Sequence, residues 1–221
     1  MNWLDILKDR VEAGKRLASA VKSVGKDAII LGVPRGGVVV GFEVAQALCV
    51  PLDIIVTKKI GAPENPELAI GAVAEDGTYI LDEDILRQIY VPKEYIAEEV
   101  ERQKQEIQRR LIRYRGDVPY PTLKNREVVV IDDGVATGST LKAALRLLRG
   151  KGAKTLVVAV PVGPPETIRE LRKLADRVVV LFTPEPFYAI GQFYVDFSQT
   201  SDKEVIELLR RNREKQAKKV S

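Results

Sequence analysis

One short stretch of the sequence combines carboxylates with residues that bind anions. VVVIDDGVATGST, residues 128–140, runs from four apolar residues into Asp132 and Asp133 and then into a cluster of Thr, Gly, Ser and Thr. The apolar run predicts a buried strand, and the chain after it must turn into a helix that begins near Ser139. Such a turn presents free N–H groups and the positive end of a helix dipole, which together favour a phosphate.

The remaining residues of this stretch indicate that the ligand has two kinds of polar group. Gly134 and Gly138 allow the backbone to approach an anion, and the hydroxyl-bearing residues can donate further hydrogen bonds. The carboxylates of Asp132 and Asp133 would repel a phosphate, but they can accept hydrogen bonds from the two hydroxyls of a vicinal diol. Together these features describe a ribose 5-phosphate. The alternative is a plain turn, although turn propensity alone does not call for this ordered string.

Composition removes several classes of chemistry and of location. The 221 residues include no histidine and one cysteine, Cys49, which excludes histidine bases, histidine metal sites and a disulfide framework. No apolar run approaches the roughly 18 to 20 residues of a membrane span. Asp5, Asp9 and Glu12 interrupt any signal peptide, so we expect a cytoplasmic protein. Many Lys, Glu, Ile and Val with one Met favour a heat-adapted source.

Strands that alternate with helices must position this loop. The alternation predicts an α/β fold with a doubly wound, mainly parallel sheet, whose ligands bind at the carboxyl ends of the strands. A hairpin over 69–81 turns around Glu75, Asp76 and Gly77. The predicted helices are 3–24, which ends at Gly25, a stretch through 42–48, and 92–115, 139–149 and 165–175. The other predicted strands are 27–33, 53–59, 127–131, 155–160 and 177–182.

The stretch 128–140 resembles the 5-phosphoribosyl-1-pyrophosphate (PRPP) signature of the type I phosphoribosyltransferases, position by position. The resemblance covers most of the chain and implies a single domain over 1–221, with a helical insertion at about 83–116 and a small C-terminal hood and tail at about 183–221. It looks like a stand-alone subgroup whose acceptor is generally unassigned. The PRPP-binding residues that it implies are Asp132, Asp133, Gly134, Val135, Ala136, Thr137, Gly138, Ser139 and Thr140.

The family resemblance predicts a second anion loop for pyrophosphate. GVPRGG, 32–37, follows the first predicted strand, and Arg35, Gly36 and Gly37 supply a guanidinium and exposed backbone N–H groups. Lys58 and Lys59, at the end of the predicted strand 53–59, would flank the same pyrophosphate. Taken alone, the first segment could be ordinary turn punctuation and the lysines could be solvated cations.

These residues suggest a mechanism of phosphoribosyl transfer. Breaking the bond at ribose C1 leaves negative charge on pyrophosphate and positive charge on the sugar, so Arg35, Lys58 and Lys59 would stabilise the leaving group. We expect Mg²⁺, held mainly through PRPP, with Asp132 and Asp133 as candidate ligands. Residues 61–77 form either a lid that excludes water or an ordered hairpin packed on a neighbour.

The acceptor is expected to be a nitrogenous base or a similar small molecule of nucleotide salvage. The family's hypoxanthine and guanine enzymes have an aspartate where this chain has Ala136, which argues against a 6-oxopurine. Aromatic residues after the last strand could stack on a flat ring, or could be core or subunit contacts. These acceptor candidates are Phe187, Tyr188, Phe193 and Tyr194.

Two other classes of function stay open. A PRPP-sensing regulator could bind nucleic acid through the basic segments 101–115 or 210–219, although a net charge of +4 and the alternative of solvated helix faces make nucleic acid the less favoured partner. An assembly role could use the insertion to pair subunits, and we expect a homo-oligomer, with a dimer favoured. The number of subunits and the residue that handles the acceptor proton are not fixed by the sequence.

Overall fold

Helices and strands alternate along most of the chain. In a computed structural model, which describes residues 6–21, 24–66, 68–75 and 77–220, they have the following bounds. The helices are α1 (Arg10–Ala20), α2 (Gly36–Leu48), α3 (Glu83–Leu86), α4 (Lys93–Arg115), α5 (Ser139–Gly150), α6 (Pro165–Leu174) and α7 (Asp202–Val220). The strands are β1 (Ile29–Gly32), β2 (Leu52–Ile54), β3 (Lys58–Gly61), β4 (Ala69–Val73), β5 (Tyr79–Leu81), β6 (Glu127–Ile131), β7 (Thr155–Val162) and β8 (Arg177–Phe182).

The centre of the fold is a parallel sheet of five strands in the order β2-β1-β6-β7-β8. One apolar cluster joins one face of this sheet to α1, α2 and α7, and a second cluster joins the other face to α5 and α6. Because both faces are covered, the strands are nearly continuous runs of Val, Ile and Leu. The doubly wound α/β fold predicted from the sequence is confirmed.

The strand order reverses between β1 and β6, and this reversal locates the ligand crevice. From β1 the chain proceeds to β2 on one side, whereas from β6 it proceeds to β7 and β8 on the other. Gly32 is paired with Ile131, so both strands end at the same edge. In open α/β sheets a ligand binds outside this edge, at such a switch point.

Several predicted elements have the predicted bounds. The strands 127–131 and 177–182 are β6 and β8 without change. The insertion helix α4 begins directly after Pro92 and ends directly before Gly116. The hairpin 69–81 is the antiparallel pair β4 and β5, which β3 extends to a sheet of three strands; its predicted turn residue Asp76 lies outside the described residues.

Two element predictions were wrong within the described residues. The first helix starts at Arg10, because the Asp9 side chain caps it by accepting a hydrogen bond from the Glu12 N–H at 2.8 Å, and it ends at Ala20. The predicted residues 3–5, 22 and 23 lie outside the described ranges. The predicted strand 53–59 is two strands in different sheets, so Lys58 and Lys59 begin β3 and do not end β2.

The basic C-terminal segment is helical within the described residues. Helix α7 packs on α2 and α4. Its buried Asn212 accepts a hydrogen bond from the Leu52 N–H at 2.8 Å and donates one to the Val50 carbonyl at 3.3 Å. These two bonds satisfy backbone groups at the outer edge of β2, which no other strand covers in the part of the chain that the structure describes.

Among the described residues, no helix is long and apolar enough to cross a membrane.

A buried group of three charges joins the sheet to the insertion. The Arg115 guanidinium contacts the Asp53 carboxylate at 3.1 Å and the Glu75 carboxylate at 3.3 Å, and all three side chains are buried. Glu75 also accepts a hydrogen bond from the Val56 N–H at 3.1 Å. These contacts fix the end of α4, the turn of the hairpin and the segment between β2 and β3.

We expect the Glu75→Gln variant to lose a pH dependence of stability that the native chain has. Burial raises the pKa of Glu75 to about 7 from 4.5, so the folded chain holds a proton that the unfolded chain releases. The free energy of unfolding should therefore fall by up to about 3 kcal/mol as pH rises between these values. Urea unfolding at pH 5 to 8 measures this slope, with exposed Glu101→Gln as the control. Equal slopes in all three proteins would contradict the prediction.

Candidate active site

A cleft of about 530 Å³ lies at the edge where β1 and β6 end. It collects side chains from the segments after β1, β2 and β6, from α1 and α4, and from the residues before α7. Five of them are cations and two are carboxylates, so the lining has an excess of positive charge suited to a polyphosphate. The charged residues are Arg10, Arg35, Lys58, Lys59, Arg110, Asp132 and Asp133.

The two aspartates follow β6 directly and reach the cleft as the sequence predicts. Asp132 Oδ1 accepts a hydrogen bond from the Asp133 N–H at 2.9 Å, which fixes one carboxylate relative to the other. Burial, followed by the adjacent Asp133 charge, raises the pKa of Asp132 well above its ordinary value. The pair therefore offers oxygen acceptors for a diol. Its position is one where ionising both carboxylates without a compensating cation costs free energy.

Arg10 compensates one of these charges and is a site residue that the sequence analysis missed. Its Nε donates to Asp133 Oδ2 at 2.7 Å, and its Nη1 donates to the Ser198 carbonyl at 2.7 Å. Its guanidinium lies 4.0 Å from the centroid of the Phe197 ring. Arg10 thus ties the residues before α7 to Asp133. A basic residue in an amphipathic helix, 123 positions from its partner, carries no local signal of this role.

The anion loop presents the start of α5 to the ligand. Gly138 precedes the helix with φ of +73°, a left-handed conformation that favours glycine. The first turn has no side-chain cap and contains no acidic residue. The N–H groups of that turn are therefore oriented for an anion. Thr140 lines the cleft, whereas Thr137 and Ser139 line a neighbouring cleft of about 310 Å³ between α5 and the β4–β5 hairpin.

The other residues of the loop hold its shape. Val135 is buried, and its N–H donates to the Val162 carbonyl at 2.9 Å. The Ala136 carbonyl accepts a hydrogen bond from the Thr167 hydroxyl at 2.6 Å. At Gly134 a Cβ atom would lie 3.2 Å from Val162 Cγ1. These residues support the loop from the side of β7 and α6.

The turn after β1 brings Arg35 and two glycines to the same cleft. The peptide between Pro34 and Arg35 is cis, and α2 begins at Gly36 without a side-chain cap. Gly36 lies against Asp133, where a Cβ atom would be 2.6 Å from Asp133 Cγ and 2.6 Å from Arg10 Nε. Gly37 packs on the backbone of Ile131, whose carbonyl a Cβ atom would meet at 2.6 Å. Only glycines allow this approach of the two loops.

Three cations reach the cleft from the insertion and β3. Lys58 and Lys59 both line it, although they begin β3 and do not end β2. Glu106 on α4 contacts Lys58 Nζ at 3.9 Å and Arg110 Nε at 2.9 Å. Burial, and then the charge of Arg110, lowers the pKa of Lys58. Arg110 was predicted to lie on a solvated face or on a nucleic-acid surface of the basic segment 101–115, because the charge pattern of α4 does not distinguish it from its neighbours.

The four aromatic candidates for acceptor binding lie away from the lining of this cleft. Phe193 and Tyr194 are buried, and the Tyr194 hydroxyl donates to the Asp133 carbonyl at 2.6 Å. Phe187 packs on Phe193 with ring centroids 5.2 Å apart, and Tyr188 is 83% exposed. Two of the four are therefore core residues, which is the alternative that the sequence left open. The residues after β8 that do line the cleft are Phe197, Gln199 and Thr200.

Comparisons with known proteins identify the family of the chain. A sequence model described as a phosphoribosyl transferase domain matches residues 2–198. The crystal structure of TT1426 from Thermus thermophilus is similar, with 41% identity, a TM-score of 0.84, and coverage of 93% of this chain and 98% of that one. Two Mycobacterium tuberculosis proteins provisionally named as phosphoribosyl transferases are 43% identical over 94% of this chain. The chain spans about half the length of these two relatives, 47%. A uracil phosphoribosyltransferase of Clostridioides difficile is 43% identical over 53 residues, which are 24% of this chain and 25% of that protein.

Proposed function

The chain belongs to the phosphoribosyl transferase domain family, and on that premise we propose that it transfers the phosphoribosyl group of PRPP to an acceptor and releases pyrophosphate. One observation carries the proposal. The aspartate pair, Thr140 in the uncapped first turn of α5, and cations from four other segments line a single cleft. A ribose that bears a phosphate at one end and a diphosphate at the other has groups that match these three components.

Each part of PRPP has a counterpart among the residues described above. Asp132 and Asp133 would accept hydrogen bonds from the ribose hydroxyls, and the first turn of α5 would bind the 5-phosphate. The pyrophosphate would contact Arg35, the N–H groups of the turn beside it, and the cations of the insertion side. Those cations are Lys58, Lys59 and Arg110.

The residues support a mechanism in which the leaving group is stabilised as it departs. The bond between C1 and pyrophosphate oxygen breaks, its electron pair stays on pyrophosphate, and the sugar becomes oxocarbenium-like before the acceptor nitrogen bonds to C1. Each oriented cation that gains contact with the departing charge would lower the barrier by on the order of 3 kcal/mol. The carboxylate of Asp133, held by Arg10, would lie beside the developing positive charge.

Mg²⁺ is the metal that fits this donor set. The adjacent carboxylates of Asp132 and Asp133 supply oxygen ligands, and no group of three or more acidic, cysteine or histidine side chains is placed for a metal in the described ranges. Mg²⁺ retains waters and binds one or two carboxylates together with substrate phosphates. When bound it would neutralise charge on the pyrophosphate.

The acceptor that we propose is a flat nitrogenous ring other than a 6-oxopurine. The part of the cleft beyond Asp133 offers the Gln199 amide and the Thr200 hydroxyl as hydrogen-bonding groups and the Phe197 ring as an apolar wall. Amide and hydroxyl groups can both donate to and accept from a base edge. Ala136 supplies no charge to a purine N7.

The alternative of a regulator that binds nucleic acid is less well supported. Cations of α4 are paired within the fold: Arg102 with Glu99, and both Arg109 and Arg110 with Glu106. Arg115 is buried against Asp53 and Glu75. These carboxylates lower the net positive charge that α4 presents along its length, so this helix is a poor surface for an extended nucleic acid strand.

Calorimetric titration with PRPP in the presence of Mg²⁺ tests the binding step. The Asp132→Asn, Asp133→Asn double variant is expected to bind PRPP at least a hundredfold more weakly, because it lacks the anionic acceptors and the candidate metal ligands. The matched control is Glu83→Gln with Asp84→Asn, two adjacent acids that are exposed on α3. Unchanged affinity in the first variant, or equal losses in both, would contradict the proposal.

A further inference from the structure

A second cationic cleft adjoins the first on the side of the insertion. It has a volume of about 460 Å³ and lies between the middle of α4, the turn after β1 and the start of α7. We call it the arginine cleft, because four arginines and two carboxylates supply its charge, a formal excess of two positive charges. Its lining residues are Pro34, Arg35, Glu106, Arg109, Arg110, Arg113, Tyr114 and Asp202.

The two carboxylates orient the arginines of this cleft and leave many donors unused. Glu106 contacts Arg109 at 2.6 Å and Arg110 at 2.9 Å, while Asp202 contacts Arg113 at 2.7 Å and Arg35 at 3.9 Å. Each carboxylate is thus shared by two guanidinium groups. A guanidinium has five N–H donors in a planar fork, so these contacts occupy only part of the donor capacity.

Both carboxylates remain charged under ordinary conditions. Hydrogen bonds, the largest contribution being that of Arg110, hold the pKa of Glu106 below its usual value. The hydrogen bond from the Tyr114 hydroxyl to Asp202, at 2.6 Å, has the same effect on the pKa of Asp202. The carboxylates therefore hold the arginines in place without neutralising the net positive charge of the cleft.

Ion pairs on an exposed helix are common and contribute little by themselves. Three features distinguish this group. It is concave, it brings Arg35 and Asp202 from distant parts of the chain to α4, and all of its cations are arginines, which bind phosphate in a bidentate manner where lysines bind as point charges. Arg109 and Arg113 keep 76% and 63% of their side-chain surface exposed, so their donors are accessible.

We propose that the arginine cleft is a second anion site, which binds the oligophosphate group of a small ligand. A free oligophosphate and the phosphate chain of a nucleotide share this chemistry. The cleft is enclosed by three elements, so a compact anion fits it better than an extended nucleic acid strand. The site itself does not depend on the transferase proposal.

The second site should be coupled to the first, and this part does rest on the proposed function. Arg35 and Arg110 line both clefts. Two anionic ligands would share these guanidinium groups and repel each other, so each should weaken the binding of the other by the same factor. An oligophosphate would thereby act as an inhibitor of PRPP binding from outside the cleft at β1 and β6.

Calorimetric titration of the full chain with inorganic triphosphate tests the site. The native chain is expected to show two binding events. Arg109→Gln with Arg113→Gln should weaken one event at least tenfold, and Lys58→Gln with Lys59→Gln should weaken the other. The matched control, Arg102→Gln with Lys104→Gln, removes the same charge from α4 outside both clefts and should change neither event more than twofold.

The outcomes separate the two proposals. A single event that the Arg109 and Arg113 variant leaves unchanged would overturn the second site, even if PRPP binds. Two events without PRPP binding would keep the second site and refute the transferase. ATP as the titrant should reproduce the event if a nucleotide is the source, and weaker binding of ATP than of triphosphate would assign a free oligophosphate. A 30-nucleotide DNA strand should also be titrated. If its affinity is lowered equally in the control and the cleft variants, and triphosphate shows no event at the cleft, the cations form a diffuse basic surface and the proposal is refuted.

Discussion

Replacing Arg115 with methionine is expected to destabilise the fold by about 3–5 kcal/mol. The substitution keeps much of the side-chain volume and removes the charge between Asp53 and Glu75, which are both buried. An uncompensated carboxylate in the interior costs more than the loss of an ordinary contact, because water cannot reach it. Urea unfolding at pH 8, above the pKa of about 7 that Glu75 has in the native chain, measures the change.

Two variants show whether the charge or the side chain is responsible. Arg113→Met, on the same helix and 63% exposed, should change stability by no more than about 1 kcal/mol, as exposed pairs do. Adding Asp53→Asn and Glu75→Gln to Arg115→Met should recover much of the loss, because no buried charge is left unpaired. If Arg115→Met unfolds at the same urea concentration as Arg113→Met, the buried charge group does not stabilise the fold as described.

Gly36→Ala adds a single methyl group and is expected to cause a large loss of PRPP affinity. The new methyl group would overlap the Asp133 carboxylate and lie 2.6 Å from Arg10 Nε, so the ion pair between Arg10 and Asp133 must separate. Overpacking of this kind costs about 1–3 kcal/mol, which corresponds to a roughly tenfold to hundredfold loss of PRPP affinity. Titration with PRPP measures the loss.

Gly150→Ala is the matched control for this substitution. Gly150 is the last residue of α5, and a Cβ atom there would meet nothing within 4 Å. Its alanine variant should bind PRPP as the native chain does and be at least as stable, since alanine favours a helix over glycine. Equal PRPP affinities of the two alanine variants would show that the approach of Gly36 to Asp133 does not shape the cleft.

Local pattern was sufficient to predict the elements whose residues are uniform. β6 and β8 are unbroken apolar runs bounded by polar residues, and α4 is a long polar helix between Pro92 and Gly116. The residues 128–140 combine such a strand with a glycine-rich turn, so the position of the two aspartates followed from the sequence.

The prediction failed where the chain changes sheets without a change of pattern. Residues 53–59 were predicted to form one strand, yet β2 ends at Ile54 and β3 begins at Lys58 in another sheet. The break is held by Arg115, which pairs with Asp53 and Glu75 and donates to the Ile54 carbonyl at 3.2 Å. A contact over 61 positions leaves no trace in local hydrophobic periodicity.

The site was predicted where a motif defines it and missed where tertiary contacts assemble it. Asp132, Asp133 and Arg35 stand in loops directly after strands, where α/β folds bind ligands. Arg10 and Arg110 belong to helices whose charges look like an ordinary solvated face, and only the packing of α1 and α4 brings them to the cleft. The helix α7 likewise contributes Asp202 to the arginine cleft from the segment predicted as a C-terminal hood and tail.

The most direct test of the account is the release of pyrophosphate from PRPP in the presence of Mg²⁺ and a pool of purine, pyrimidine and other ring-nitrogen acceptors. We predict that release requires the acceptor pool, and that it is lost in the Asp132→Asn, Asp133→Asn variant but kept in the Glu83→Gln, Asp84→Asn control. Dividing the pool would then identify the acceptor. Release that continues in the aspartate variant, or no release from the native chain with any acceptor, would contradict the claim that this cleft transfers a phosphoribosyl group.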